Sequence, residues 1–302
     1  VRVAHFTSVE GRSRFRAAYD RAMDALPVPA LTQDVDTPFG SVRMLRFERA
    51  GKSTVGGSGA AGGEPFVLLP GKAAPAAMWA PNLAALTAER TVYAIDLLGE
   101  PGMSVQSVPI RRTADQVSWL RAALASIEAD RVHLVGHSIG GWHALTFAAH
   151  APEHLASVAI LDPANTLDRI PMSTVVRSIG ATSIAPAWLR RRFFASLADD
   201  TEVDTQDPIV DLLDIAMRCH SSALPLPERP KPAMLRSVRV PALVVLGGRS
   251  TMLDPERARA VAEAQLPDAR VEVWSDASHA LPGEHPERTA ARLLEFAREA
   301  RR

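Results

Sequence analysis

Apolar positions along the chain follow two spacings that alternate from one end to the other. Behind Ser8, the residues Phe15, Ala18, Tyr19 and Met23 recur at helical spacing to about Leu26, where Pro27-Val28-Pro29 ends the pattern. The stretches LTQDVDT (31–37) and SVRMLRF (41–47), joined by Pro38-Phe39-Gly40, predict a hairpin. From Pro65 onward, short apolar runs take turns with amphipathic segments. PFVLLP, TVYAID, RVHLVGH and SVAILD read as strands, separated by helical patterns at 78–89, 113–129 and 140–151. The rhythm stops at Pro163 and resumes at Val238 with VRVPALVVLGG, a helix over 254–266, a strand over 269–276 and a helix over 284–300. Apolar strands alternating with helices predict βαβ units, right-handed crossovers and a mainly parallel sheet covered on both faces, an α/β fold. The interruption predicts an insertion of short helices, at 186–199 and 207–219. The expected organisation is therefore an N-terminal helical extension (1–30), a core (31–162 and 238–302) and a helical lid (163–237).

Composition narrows the partners. Lys+Arg and Asp+Glu are both 34, so the formal net charge is zero, which argues against nucleic acid or an anionic membrane as the main partner. The lone cysteine, Cys219, excludes an intramolecular disulfide. The first 20 residues turn charged before any apolar run develops, and no run approaches the roughly 18 residues that span a bilayer. The expectation is a soluble, cytoplasmic protein acting on a small molecule. Residues 51–64, GKSTVGGSGAAGGE, are rich in Gly and Ser, but Gly51-Lys52-Ser53 precedes the glycines. A phosphate-cradling loop needs its lysine at the other end, so this segment reads as a flexible surface insertion.

Chemistry concentrates at Gly136-His137-Ser138-Ile139-Gly140, a G-x-S-x-G pattern between a predicted strand and a predicted helix. A sharp strand-to-helix turn exposes the central hydroxyl, and glycines on both flanks let the backbones pass closely. Ser138 is the candidate nucleophile. At these residues the chain resembles the α/β-hydrolase superfamily, over nearly everything from about residue 35 onward. A serine hydroxyl needs a base within hydrogen-bond reach. The resemblance implies a histidine after the last strand, where His279 stands in Ala-Ser-His-Ala; His285 is the competitor, in a His-Pro helix start. The resemblance also implies an oxyanion hole from the N–H groups of Ile139 and of Lys72 in LLPGKAAP, where Pro70 replaces the family's usual histidine. Asp96 in DLLGEPGMS reads as a loop organiser. No metal or organic cofactor is implied, since two histidines on one strand, His133 and His137, lack a third ligand.

The acid that orients the histidine is the irregular feature. In most relatives it follows the penultimate strand, and in LVVLGGRSTMLDPER that position falls on Ser250. Replacing a triad acid by a neutral group lowers turnover about 10⁴-fold in serine proteases. Three resolutions stand open: the acid has moved to Asp162 at the end of SVAILD, Asp254 reaches back from its helix cap, or no acid completes the site. The first reading is an acyl-enzyme hydrolase of a small, largely apolar ester, lactone or thioester. The second keeps the fold and uses Ser138 and His279 to orient substrate for cyclisation, dehydration or bond formation in natural-product biosynthesis; a third is a non-enzymatic binding module. Met172, Trp188, Phe193, Phe194, Leu212, Leu213 and Met217 are the candidate apolar pocket residues, with Trp188, Phe193 and Met217 foremost. Arg190-Arg191-Arg192 reads as a solvated helix face.

Overall fold

A computed structural model describes residues 2–51, 63–178, 185–198 and 206–300, so most of the Gly/Ser segment, residues 52–62, lies outside the described residues. The chain opens with β1 (His5–Phe6) and α1 (Val9–Met23), which starts where the Ser8 hydroxyl accepts the Gly11 N–H at 2.9 Å. β2 (Leu31–Thr37) and β3 (Gly40–Phe47) form the hairpin, with Val35 opposite Val42. Next come β4 (Phe66–Leu69), α2 (Ala80–Glu89), β5 (Val92–Ile95), β6 (Val105–Gln106) and α3 (Thr113–Ala125). β7 (Val132–His137), α4 (Ile139–His150) and β8 (Leu155–Leu161) complete the first half. Between β8 and the next sheet strand lie α5 (Met172–Arg177), α6 (Ala187–Leu197), α7 (Pro208–Cys219), β9 (His220–Ser221) and α8 (Pro232–Leu235). The chain then forms β10 (Ala242–Gly247), α9 (Pro255–Gln265), β11 (Ala269–Trp274), α10 (Leu281–Glu284) and α11 (Pro286–Glu299).

Among the described residues the main sheet runs β11-β10-β8-β7-β4-β5-β3-β2, with β6 beside β3. The pairs from β11 to β5 are parallel, and β3 joins β5, β2 and β6 antiparallel. Alternation along each central strand feeds two cores. Val67, Leu69, Val244 and Leu246 face Trp119, Leu120, Phe147 and Ala258 on one side. Phe66, Leu68, Leu243 and Val245 face Phe15, Leu83, Leu293 and Phe296 on the other. Because β4, β7, β8 and β10 are buried along their whole length, they read in the sequence as continuous apolar runs.

Two details depart from the sequence reading. The N-terminal segment holds a strand as well as a helix: β1 pairs antiparallel with β9, His5 opposite Ser221, and α1 packs on α7 through Phe15, Ala18, Leu212 and Ala216. Two-residue strands carry no periodicity, so only the partner strand defines them. Arg190 is not on a solvated face. It is 3 % exposed, its Nε lies 2.6 Å from Asp214 Oδ1, and it donates to the Ala185 carbonyl, tying α6 to α7. Arg191 and Arg192 are exposed.

Candidate active site

The turn between β7 and α4 holds Ser138 at φ 54°, ψ −116°, a conformation that L-residues rarely adopt. Close approach explains its glycines. A Cβ on Gly136 would lie 2.0 Å from the Gly140 carbonyl oxygen, and one on Gly140 would lie 2.3 Å from that of Leu69. The Ser138 N–H donates to the Leu161 carbonyl at 3.0 Å, anchoring the turn to the end of β8. The hydroxyl is thereby presented at the carboxyl edge of the parallel sheet, where the first turn of α4 directs its N–H groups and positive dipole end.

His279, in the loop after β11, has Nε2 3.0 Å from Ser138 Oγ and Nδ1 2.5 Å from Asp162 Oδ2. Asp162 follows β8 directly, at φ 43°, and is fully buried. Its carboxylate takes two further hydrogen bonds: the Gly247 N–H reaches Oδ1 at 2.9 Å and the Ser250 hydroxyl reaches Oδ2 at 2.6 Å. The structure thus brings together Ser138, His279 and Asp162, with Ser250 as a donor to the acid. Asp254 caps α9 by accepting the Arg257 N–H at 3.0 Å, and its own N–H goes to Asp168. His285 lies at the start of α11, with its ring edge toward Trp274.

His137 supports the same loop. Its Nε2 lies 2.8 Å from the His279 carbonyl oxygen, so the proton sits on Nε2, and its ring tilts against the His279 ring at 4.9 Å. Nδ1 is buried with no hydrogen-bond partner among the described residues. Burial first, then the neighbouring His279, pushes the His137 pKa down to about 3, so the ring stays neutral at ordinary pH.

The loop after β4 lies against the nucleophile: a Cβ on Gly71 would be 3.5 Å from Ser138 Cβ and 3.2 Å from His137 Nδ1. Ala73 holds φ 60°, strain of about 1–3 kcal/mol that neighbours must hold in place. Glu100 Oε2 accepts the Ala73 N–H at 3.1 Å, and Asp96 Oδ1 accepts the Ala76 N–H at 2.7 Å. Asp96 Oδ2 also takes the Met103 N–H at 2.7 Å, so one buried carboxylate joins the two loops. Burial pushes the pKa of both carboxyls up. With Pro70 at the usual histidine position, Glu100 supplies the anchor, which motif matching did not single out. Ile139 follows the nucleophile at the start of α4, and the loop carrying Lys72 lies against Ser138 through Gly71.

The apolar candidates scatter. Trp188 is 61 % and Met172 74 % exposed; Phe193, Leu213 and Met217 are buried or half-buried, and the Phe194 side chain lies outside the described residues. Leu212 is spent on packing against α1. None of the described ones lines the cavity next to Ile139. Amphipathic spacing identifies an apolar face without saying which surface it meets. Among the described residues no group of three or more His, Cys, Asp or Glu is placed to hold a metal, and no helix is long and apolar enough to cross a membrane.

A strand-turn-helix serine, a histidine after the last strand and a mainly parallel sheet define an α/β-hydrolase architecture. The model of the alpha/beta hydrolase family matches residues 66–292, and the chain belongs to that family. Carboxylesterase YbfK of Bacillus subtilis is 26 % identical over 296 residues, covering 96 % of each chain. The dihydrolipoyllysine-residue acetyltransferase component of the acetoin cleaving system of Pseudomonas putida is 31 % identical, over 85 % of this chain and 67 % of that one. The crystal structure of naproxen esterase (carboxylesterase NP) from Bacillus subtilis superposes with a TM-score of 0.85 at 24 % identity, covering 96 % of this chain and 99 % of that one, a likeness of fold.

Proposed function

We propose that the chain is a carboxylic-ester hydrolase that works through an acyl-enzyme on Ser138. The observation that carries this reading is the single imidazole bridging Ser138 Oγ and the Asp162 carboxylate. The carboxylesterase names of the full-length relatives support the same class. His279 Nε2 takes the Ser138 proton as Oγ attacks the ester carbonyl carbon, and Asp162 stabilises the imidazolium that results. The N–H groups of Ile139 and Lys72 receive the developing oxyanion. Collapse expels the alcohol, which takes the proton from His279. Water, deprotonated by the same nitrogen, then attacks the acyl carbon, and the carboxylic acid leaves as Ser138 regains its proton.

The helices between β8 and β10 serve in this reading as a lid over a small, largely apolar substrate. The alternative, bond formation on the same Ser138–His279 pair, loses support where the Asp162 carboxylate completes the site.

The test is turnover of short-chain p-nitrophenyl esters, together with the intact mass after treatment with a fluorophosphonate. Hydrolysis and a single adduct on Ser138, both abolished in Ser138→Ala, are expected. A wild-type protein that neither turns over esters nor takes the label would refute the reading.

A further inference from the structure

A cavity of about 90 Å³ opens beside Ile139, the residue that follows the nucleophile, and Lys72 also lines it. It is therefore bordered by both residues assigned above to the oxyanion hole. Ligand pockets for whole drug-sized molecules run to about 300–1,000 Å³, so this one is sized for a single substituent.

Its lining is unlike an apolar acyl slot. His143, 4 % exposed, reaches it from α4, and neither ring nitrogen has a hydrogen-bond partner among the described residues. The ring is held edge-on by Trp142 at 5.0 Å and Trp119 at 5.8 Å, so its direction is fixed. Gln116, 5 % exposed, gives its Oε1 to the Trp119 N–H at 2.6 Å, which leaves its amide N–H groups for the cavity. Neither the His143 ring nor the Gln116 amide nitrogen forms a hydrogen bond among the described residues, so both are free to serve a group that enters the cavity. An imidazole and an amide on the wall give the cavity hydrogen-bonding capacity.

The rim gives the sign of that ligand. Lys72, Arg111 and Arg112 converge on the cavity from two loops, opposed by Glu100 and Glu228. The Arg111 side chain makes no ion pair among the described residues, and Arg112 holds Asp115 only at 3.5 Å. Glu100 is engaged by the Ala73 N–H at 3.1 Å and by the charge of Lys72, which leaves the two arginines facing Glu228. The opening is thus cationic, and donors outnumber free acceptors.

We propose that this cavity is a recognition subsite for a carboxylate carried on the ester substrate, with Arg111 and Arg112 facing the charge and Gln116 and His143 donating to its oxygens. Guanidinium groups suit a planar carboxylate because they offer paired N–H donors. The proposal rests on the ester-hydrolase reading and names the substrate class for it. The carboxylate can sit on the acyl or on the alcohol side, and the test separates the two.

The experiment compares charged and neutral isosteres: mono-p-nitrophenyl adipate against the ester of its monoamide, and 4-acetoxybenzoate against 4-acetoxybenzamide. In one pair the wild type is expected to prefer the carboxylate by about tenfold or more in kcat/KM, equivalent to about 1.4 kcal/mol. The Arg111→Gln/Arg112→Gln double variant should lose that preference through KM, and Gln116→Leu should weaken it. Equal rates within both pairs, or a preference that survives the double variant, would overturn the subsite. Should no ester be turned over, the hydrolase reading fails, and binding decides the subsite separately. Calorimetry of Ser138→Ala with adipate and with adipamide should then show adipate binding that the double arginine variant abolishes. Absence of adipate binding overturns the proposal.

Discussion

Ser250→Asp places a carboxylate at the turn after β10, and in this chain it is expected to damage the enzyme. The Ser250 hydroxyl lies 2.6 Å from Asp162 Oδ2, so a carboxylate there meets a carboxylate already bonded to His279. Two unit charges about 4 Å apart at an effective dielectric constant of about 20 repel by about 4 kcal/mol. The pair would share a proton at neutral pH, as like-charged carboxyls in contact do. A barrier increase of even about 3 kcal/mol is roughly a hundredfold in rate, so kcat/KM at pH 7 should fall about 100-fold. Ser250→Ala, which removes one hydrogen bond to a charged group, should lose about tenfold. Asp162→Asn should lose about 10⁴. The decisive arm is Asp162→Asn/Ser250→Asp, which moves the charge one strand over and should recover about 10- to 100-fold relative to Asp162→Asn, since charge without geometry restores only part. The assay is kcat/KM for a p-nitrophenyl ester from pH 5 to 9, with thermal unfolding to confirm that each variant folds. Ser250→Asp at or above wild-type activity, or a double variant no better than Asp162→Asn, would show that Asp162 is not the orienting acid.

Three further outcomes follow from the contacts around the site. Glu100→Ala leaves the Ala73 N–H buried without its acceptor and should lower kcat by about tenfold or more, because removing an oxyanion donor outright costs about 10²–10³; Glu100→Gln, which keeps the acceptor, should retain most of it, and equal losses in both would refute the anchoring role. Arg190→Ala removes the bonds from α6 to Asp214 and to the Ala185 carbonyl, leaving the half-buried Asp214 to Arg218 at 3.7 Å, and should destabilise by about 1–2 kcal/mol in urea melts, whereas Arg191→Ala should change little. The histidines His137, His143 and His220 have pKa values lowered to about 3, 3 and 4, chiefly by burial, against an ordinary value near 6.5. Below pH 6.5 the unfolded chain binds protons that the folded chain refuses, so stability is complete above that pH and falls as pH drops toward 4. Each such histidine contributes about 1.4 kcal/mol per pH unit, and His143→Phe should flatten the decline by that amount in urea melts at pH 7 and pH 5.

The division between what the residues disclosed and what they withheld follows the range of the interactions. Strands buried on both faces leave continuous apolar runs, and the nucleophile turn needs glycines within two residues of Ser138, so both were legible. The β1–β9 pairing, the burial of Arg190 and the Glu100 anchor join residues far apart in sequence, and no local spacing encodes them. The acid is the instructive intermediate. Its type and its candidate positions were legible, but choosing among them required the neighbour relation of β8 and β10. In the sheet these strands run parallel, with Leu161 opposite Val245, and the Gly247 N–H at the end of β10 donates to Asp162. Adjacent strands lie about 4.8 Å apart, a separation that one side chain spans. Either strand end therefore offers a carboxylate to His279 Nδ1, provided the other end supplies a neutral donor rather than a second charge. Ser250 meets that condition: its hydroxyl donates to the Asp162 carboxylate without repelling it. If Asp162 orients His279, a neutral residue at position 250 and an acid at the end of β8 are one physical change rather than two.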